Sequence, residues 1–105
     1  MSLGVLITAP GWVAGEHIRA FQADPRSHVA AIYAARELER EQARRYIEEF
    51  SLDCLVTDSF EDALALEDVK IVSVCSINCF HYTQALAAIR AGKHLLVEKP
   101  LALNY

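Results

Sequence analysis

Gly11 sits in Thr8-Ala9-Pro10-Gly11-Trp12-Val13-Ala14-Gly15, between an apolar run of strand length and a segment of helical period. A glycine there lets backbone approach a phosphate closely, and the free amides that open the next helix add an electropositive end. Aligned to G-x-G-x-x-G/A, Gly11 takes the second glycine position and Ala14 the third, whereas Ala9 replaces the first. The same stretch also reads as a plain strand-to-helix turn. A second segment, Tyr33-Ala34-Ala35-Arg36, follows another apolar run, roughly 20 residues past the glycine, where a dinucleotide site usually carries an acid for the ribose 2'-hydroxyl. Small residues and Arg36 suit a 2'-phosphate instead. Two alternatives stay open here: Arg36 as a surface residue, and Glu37 as the acid on a longer turn.

Two further segments carry polar residues directly after apolar runs. Ser76-Ile77-Asn78-Cys79-Phe80-His81 offers Asn78 and His81, which either cap a helix and pack, or touch a ligand. Glu98-Lys99-Pro100 places an ammonium after His94 to Val97, where it is either solvated or turned toward a crevice.

The elements around these segments alternate. Strand candidates are Val5 to Thr8, His28 to Tyr33, Cys54 to Val56, Lys70 to Cys75 and His94 to Val97, mostly continuous in hydrophobicity, as in strands covered on both faces. Between them Ala14, Ile18 and Phe21 mark one helix face, and Ala43, Ile47 and Phe50 a second. The charged run Glu37 to Glu49 reads as a solvated face. A short third helix starts near Asp58 or Ser59, capped with Glu61 or Asp62, and buries Phe60, Ala63 and Leu64. Tyr82, Ala85, Leu86 and Ile89 line a fourth, which Gly92 ends. This predicts an α/β fold, a doubly wound parallel Rossmann sheet in three αβα layers with strand order 3-2-1-4-5. The ligand crevice then lies at the carboxyl ends of strands 1 and 4.

Composition narrows the class. The 105 residues suffice for one core, and 53% hydrophobic with 23% charged residues fit an ordinary globular domain rather than a disordered one. A net charge of -4 argues against a nucleic-acid surface, which needs a basic stripe. No apolar run approaches the roughly 20 residues of a membrane span, and no basic region opens a secretory signal, so a cytoplasmic location without membrane contact is expected. Cys54, Cys75 and Cys79 form no Cys-x-x-Cys pair, and His17, His28, His81 and His94 lack metal-ligand spacing. Neither a disulfide framework nor a metal site is expected.

Ala91-Gly92-Lys93-His94-Leu95-Leu96-Val97-Glu98-Lys99-Pro100-Leu101-Ala102-Leu103-Asn104 resembles the A-G-K-H-V-x-x-E-K-P-x-A segment of the glucose-fructose oxidoreductase and inositol dehydrogenase family, Gfo/Idh/MocA. Asn78 and His81 fall at its T-P-N-x-x-H motif, with Ile77 in place of the proline, and His17 matches a histidine often found in the first helix. The resemblance spans nearly all of residues 1–105 and implies the family's N-terminal NAD(P)-binding Rossmann domain, with the second α/β domain outside these residues. It implies a dehydrogenase transferring hydride between a nicotinamide cofactor, NAD(P) with a lean toward NADP, and a sugar, polyol or related hydroxy or carbonyl compound, homo-oligomeric at full length. The implied cofactor contacts are Ala9, Gly11, Trp12, Val13, Ala35, Arg36, Ser76, Asn78, His81, Glu98, Lys99 and Pro100. Lys99 is the implied catalytic residue, since a cation beside a reacting hydroxyl favours the developing alkoxide. Further acid/base groups come from the second domain in that family, so these 105 residues by themselves are expected to be inactive. Because Ala9 and Ile77 both depart from the pattern at the cofactor, a non-catalytic nucleotide-binding module is the alternative.

Overall fold

In a computed structural model, residues 2–8, 12–75 and 78–97 are described, with backbone only at 12, 13, 78–82 and 97. Among the described residues nine elements alternate: β1 (Leu3–Thr8), α1 (Trp12–Ala23), β2 (Ser27–Tyr33), α2 (Glu37–Phe50), β3 (Leu55–Thr57), α3 (Phe60–Leu64), β4 (Val69–Val74), α4 (Asn78–Arg90) and β5 (His94–Val97). All strand pairs are parallel and the order is β3-β2-β1-β4-β5, as the sequence predicts. Strand order reverses between β1 and β4.

The strand period explains the layers. In β4, Val72 and Val74 face one side and are fully buried, with Leu6, Ala31, Val69, Ala63 and Ala88, under α3 and α4. On the other face Val5, Ile7, Val29 and Ile32 pack with Ala14 and Ile18 of α1 and Ala43 and Tyr46 of α2. Each fully buried Val, Leu or Ile contributes about 1.5–3 kcal/mol, so both layers are needed to hold the sheet. Two close approaches set the geometry. A Cβ on Gly4 would lie 2.2 Å from the Asp68 carbonyl oxygen, and one on Gly15 would lie 3.0 Å from Tyr46 Oη, where α1 crosses α2.

Helix ends follow local chemistry. Ser59 caps α3, its Oγ accepting from the Asp62 N–H at 3.2 Å, which selects Ser59 over Asp58. Gly92, at φ 75°, closes α4 with Lys93 N–H bonded to the Ala88 carbonyl at 3.0 Å and its own N–H to Ile89, a Schellman arrangement. In α2 the same left-handed position is filled by Ser51, at φ 53°.

The inward face of α4 differs from the expectation. Gln84, Ala85 and Ala88 are buried, while Ile89 is 60% exposed and Leu86 is half-buried. The alanines let the helix lie close on β4 and β5, which turns Ile89 outward. Among the described residues no helix is long and apolar enough to cross a membrane.

Candidate functional site

The strand ends converge. Thr8 is level with Tyr33 on one side and Val74 on the other, Tyr33 is level with Thr57, and Val74 with Val97. The chain therefore leaves all five strands at one edge, beside the point where strand order reverses, which is where doubly wound sheets bind ligands. Of the site candidates, Trp12 and Val13 open α1, and Asn78 and His81 lie in the first turn of α4, all four at this edge. Ala9, Gly11, Ser76, Glu98, Lys99 and Pro100 lie outside the described residues.

Ala35 and Arg36 connect β2 to α2, and both are exposed. Arg36 begins the helix in extended backbone, and the Glu39 carboxylate accepts from its N–H at 3.0 Å and its Nε at 3.3 Å. One turn on, Arg40 folds back: its Nη1 donates to the carbonyls of Ala34 and Ala35, at 3.3 and 3.0 Å. Glu37 is engaged too, one carboxylate oxygen receiving Arg40 and the other Arg44, both at 3.2 Å. The Arg44 hydrogen bond, then that of Arg40, holds the Glu37 carboxyl below its ordinary pKa. Both acids near the end of β2 are thus tied to arginines, and two guanidiniums flank its last residues. The charged run Glu37 to Glu49 is largely exposed, as expected, while Arg40 within it is half-buried and turns back to the end of β2. A basic side chain one turn after Arg36, able to reach back to small residues, was the available signal.

The ends of β1 and β4 are laced together. The Cys75 N–H donates to Thr8 Oγ1 at 3.0 Å, and Thr8 is fully buried. The fully buried Ser73 hydroxyl hydrogen-bonds His17 Nδ1 on α1 at 2.5 Å, and Cys75 Sγ lies 3.4 Å from the same nitrogen. Ser73 is the one hydroxyl within β4, a signal the sequence offers, although no sequence pattern names its partner. His17 also lines a groove of about 630 Å³ between α1 and the Ile71 and Leu96 side of the sheet, with Glu16, Ala20 and Phe21 on its wall. Among the described residues no group of three or more His, Cys, Asp or Glu could hold a metal ion.

Comparison with known proteins agrees with this geometry. Residues 3–105 match the oxidoreductase family Gfo/Idh/MocA with its NAD-binding Rossmann fold. The chain is 34% identical to inositol 2-dehydrogenase of Gluconacetobacter diazotrophicus, over 99% of this chain and 30% of that protein. It is 45% identical to 1,5-anhydro-D-fructose reductase of Ensifer adhaerens over 61% of this chain and 19% of that protein. Among solved structures, GenD2 from gentamicin A biosynthesis, in complex with NAD, superposes with a TM-score of 0.85 at 31% identity, covering 97% of this chain and 28% of that one. KijD10, a 3-ketoreductase from Actinomadura kijaniata in complex with TDP-benzene and NADP, gives 0.80 at 29% identity, covering 97% and 31%. The chain spans about 30% of the length of its full-coverage relatives.

Proposed function

The chain belongs to the Gfo/Idh/MocA oxidoreductase family as its NAD-binding Rossmann domain, and from that premise we propose that the full-length protein is an NAD(P)-dependent dehydrogenase. Its substrate class is a sugar, a polyol or a related hydroxy or carbonyl compound. The observation that carries the reading is the level set of strand ends at the β1/β4 reversal, with α1 starting beside it. In this reading Ala9, Gly11, Trp12 and Val13 hold the pyrophosphate. Ser76, Asn78 and His81, with Glu98, Lys99 and Pro100, flank the nicotinamide. The bound dinucleotide supplies the hydride acceptor or donor. Lys99 is assigned to the substrate oxygen: in carbonyl reduction its ammonium stabilises the developing alkoxide and donates the proton, and in alcohol oxidation the neutral amine takes that proton up.

NADP is favoured over NAD. Arg36 and Arg40 present guanidiniums at the end of β2, and Glu37 and Glu39 are engaged by arginines rather than available to a ribose 2'-hydroxyl. The protein is further proposed to be cytoplasmic and homo-oligomeric. Isothermal titration of the full-length protein against NADPH and NADH tests the proposal. Binding of NADPH in preference to NADH is expected, and binding of neither overturns it. Cofactor binding with no turnover across a polyol and sugar panel would identify a nucleotide-binding module instead.

A further inference from the structure

We infer that His17 is a positioning residue for the dinucleotide, joining α1 to β4 so that the two halves of the cofactor site stand at a fixed separation; this rests on the functional reading above.

The argument starts from β4. Its alternation sends Val72 and Val74 toward α3 and α4, and sends Ile71, Ser73 and Cys75 toward α1. A serine at the centre of that face is fully buried, and a buried hydroxyl is costly unless hydrogen-bonded. Its partner is His17 Nδ1, on the second turn of α1. Cys75 Sγ approaches the same nitrogen, and the Cys75 N–H is fixed to Thr8 of β1. Three elements, β1, β4 and α1, therefore meet through polar contacts at one place, next to the edge where strand order reverses.

An apolar pair would fill the same space but would tolerate sliding. A hydrogen bond weakens steeply with misalignment, so the imidazole fixes both the rotation of α1 and its height over β4. Height matters because the start of α1 takes the pyrophosphate and the segment after β4 faces the nicotinamide. The ligand's covalent length must match the gap between them. Misplacement of a site by about 1 Å is enough to cost up to two orders of magnitude.

The test is titration calorimetry on the full-length protein, its His17→Leu, Ser73→Ala and His17→Asn variants and the double variant His17→Leu with Ser73→Ala, with NADPH, NADH and ADP as ligands. ADP reaches the start of α1 without spanning to β4. We expect His17→Leu and Ser73→Ala each to weaken the favoured dinucleotide about tenfold, with the double variant no weaker than either, while ADP binding stays at the wild-type level. His17→Asn, which keeps a polar atom near the Nδ1 position, restores most of the affinity. Equal loss of ADP and dinucleotide, or unchanged dinucleotide binding in the single variants, overturns the inference. Should His17→Leu fail to fold, Ser73→Ala removes a single oxygen and still decides it. A wild-type protein that binds no dinucleotide overturns the functional reading, and this inference with it.

Discussion

The two edges of the sheet are closed in different ways. At the amino edge backbone hydrogen bonds tie strands to the turns before neighbouring strands, and the end of α1 is held to β2, where Gln22 accepts from the Val29 N–H at 2.9 Å. Leu3 N–H bonds the Arg26 carbonyl at 2.8 Å, and Gly4 N–H bonds that of Asp68 at 3.0 Å. His28 lies between Ser2 Oγ, 2.7 Å from its Nδ1, and Asp68 Oδ2, which accepts from its Nε2 at 2.9 Å. At the carboxyl edge the Cys75 N–H ties β4 to Thr8 of β1, and long side chains add ties to helices: α1 to β4 through His17 and Ser73, and α2 to the end of β2 through Arg40. The first edge fixes the fold, whereas the second fixes distances around the crevice. Changes at the amino edge should therefore move stability, and changes at the carboxyl edge should move ligand affinity.

The largest expected effect is at the amino edge. Gly4→Ala drives a methyl group into the Asp68 backbone, which cannot yield without shifting the β1–β4 register, and should cost about 3 kcal/mol in urea unfolding. A loss below about 1 kcal/mol would break the contrast. At the other edge, Arg40→Gln should weaken NADPH about tenfold while leaving NADH binding nearly unchanged. Its pairing is with an exposed partner, Glu37, and adds little to stability, so the unfolding free energy should change by less than about 1 kcal/mol. A large stability loss with unchanged selectivity would reverse the assignment of that edge.

Away from both edges, Ser51→Gly should stabilise the protein by about 1 kcal/mol, read as a higher denaturation midpoint, because a side chain in the left-handed region is strained there. The last effect is absent at neutral pH and appears only in alkali. Burial, with Asp53 adding a nearby negative charge, pushes the half-buried Cys54 thiol from 9.0 to about 11. The folded chain then keeps a proton that the unfolded chain has lost. This contribution is fully present below pH 9 and disappears as pH rises through about 11. Unfolding curves across that range should show a drop that Cys54→Ala removes. Equal slopes in the two proteins would place Cys54 in water.

Much of the fold was legible because its signals are local. Strand length, helical spacing and Gly92 after the last helical residue each lie within a short stretch of chain. The α4 face was misread at Ile89 because periodicity marks where apolar residues fall. How closely small residues such as Ala85 and Ala88 let a helix approach the sheet depends on packing. The candidate site was legible as a set of segments at strand ends, whereas the return of Arg40 to Ala34 and Ala35 was not.

The sequence alone determined the order of the elements, the parallel sheet and the family, since each is written in periods and motifs of neighbouring residues. Only the tertiary structure decided that His17 meets Ser73, that Gly4 must yield space to Asp68 and that Tyr46 rests on Gly15. Those pairs are remote in the chain, and their partnership follows from how the helices lie across the twisted sheet, which no local pattern encodes.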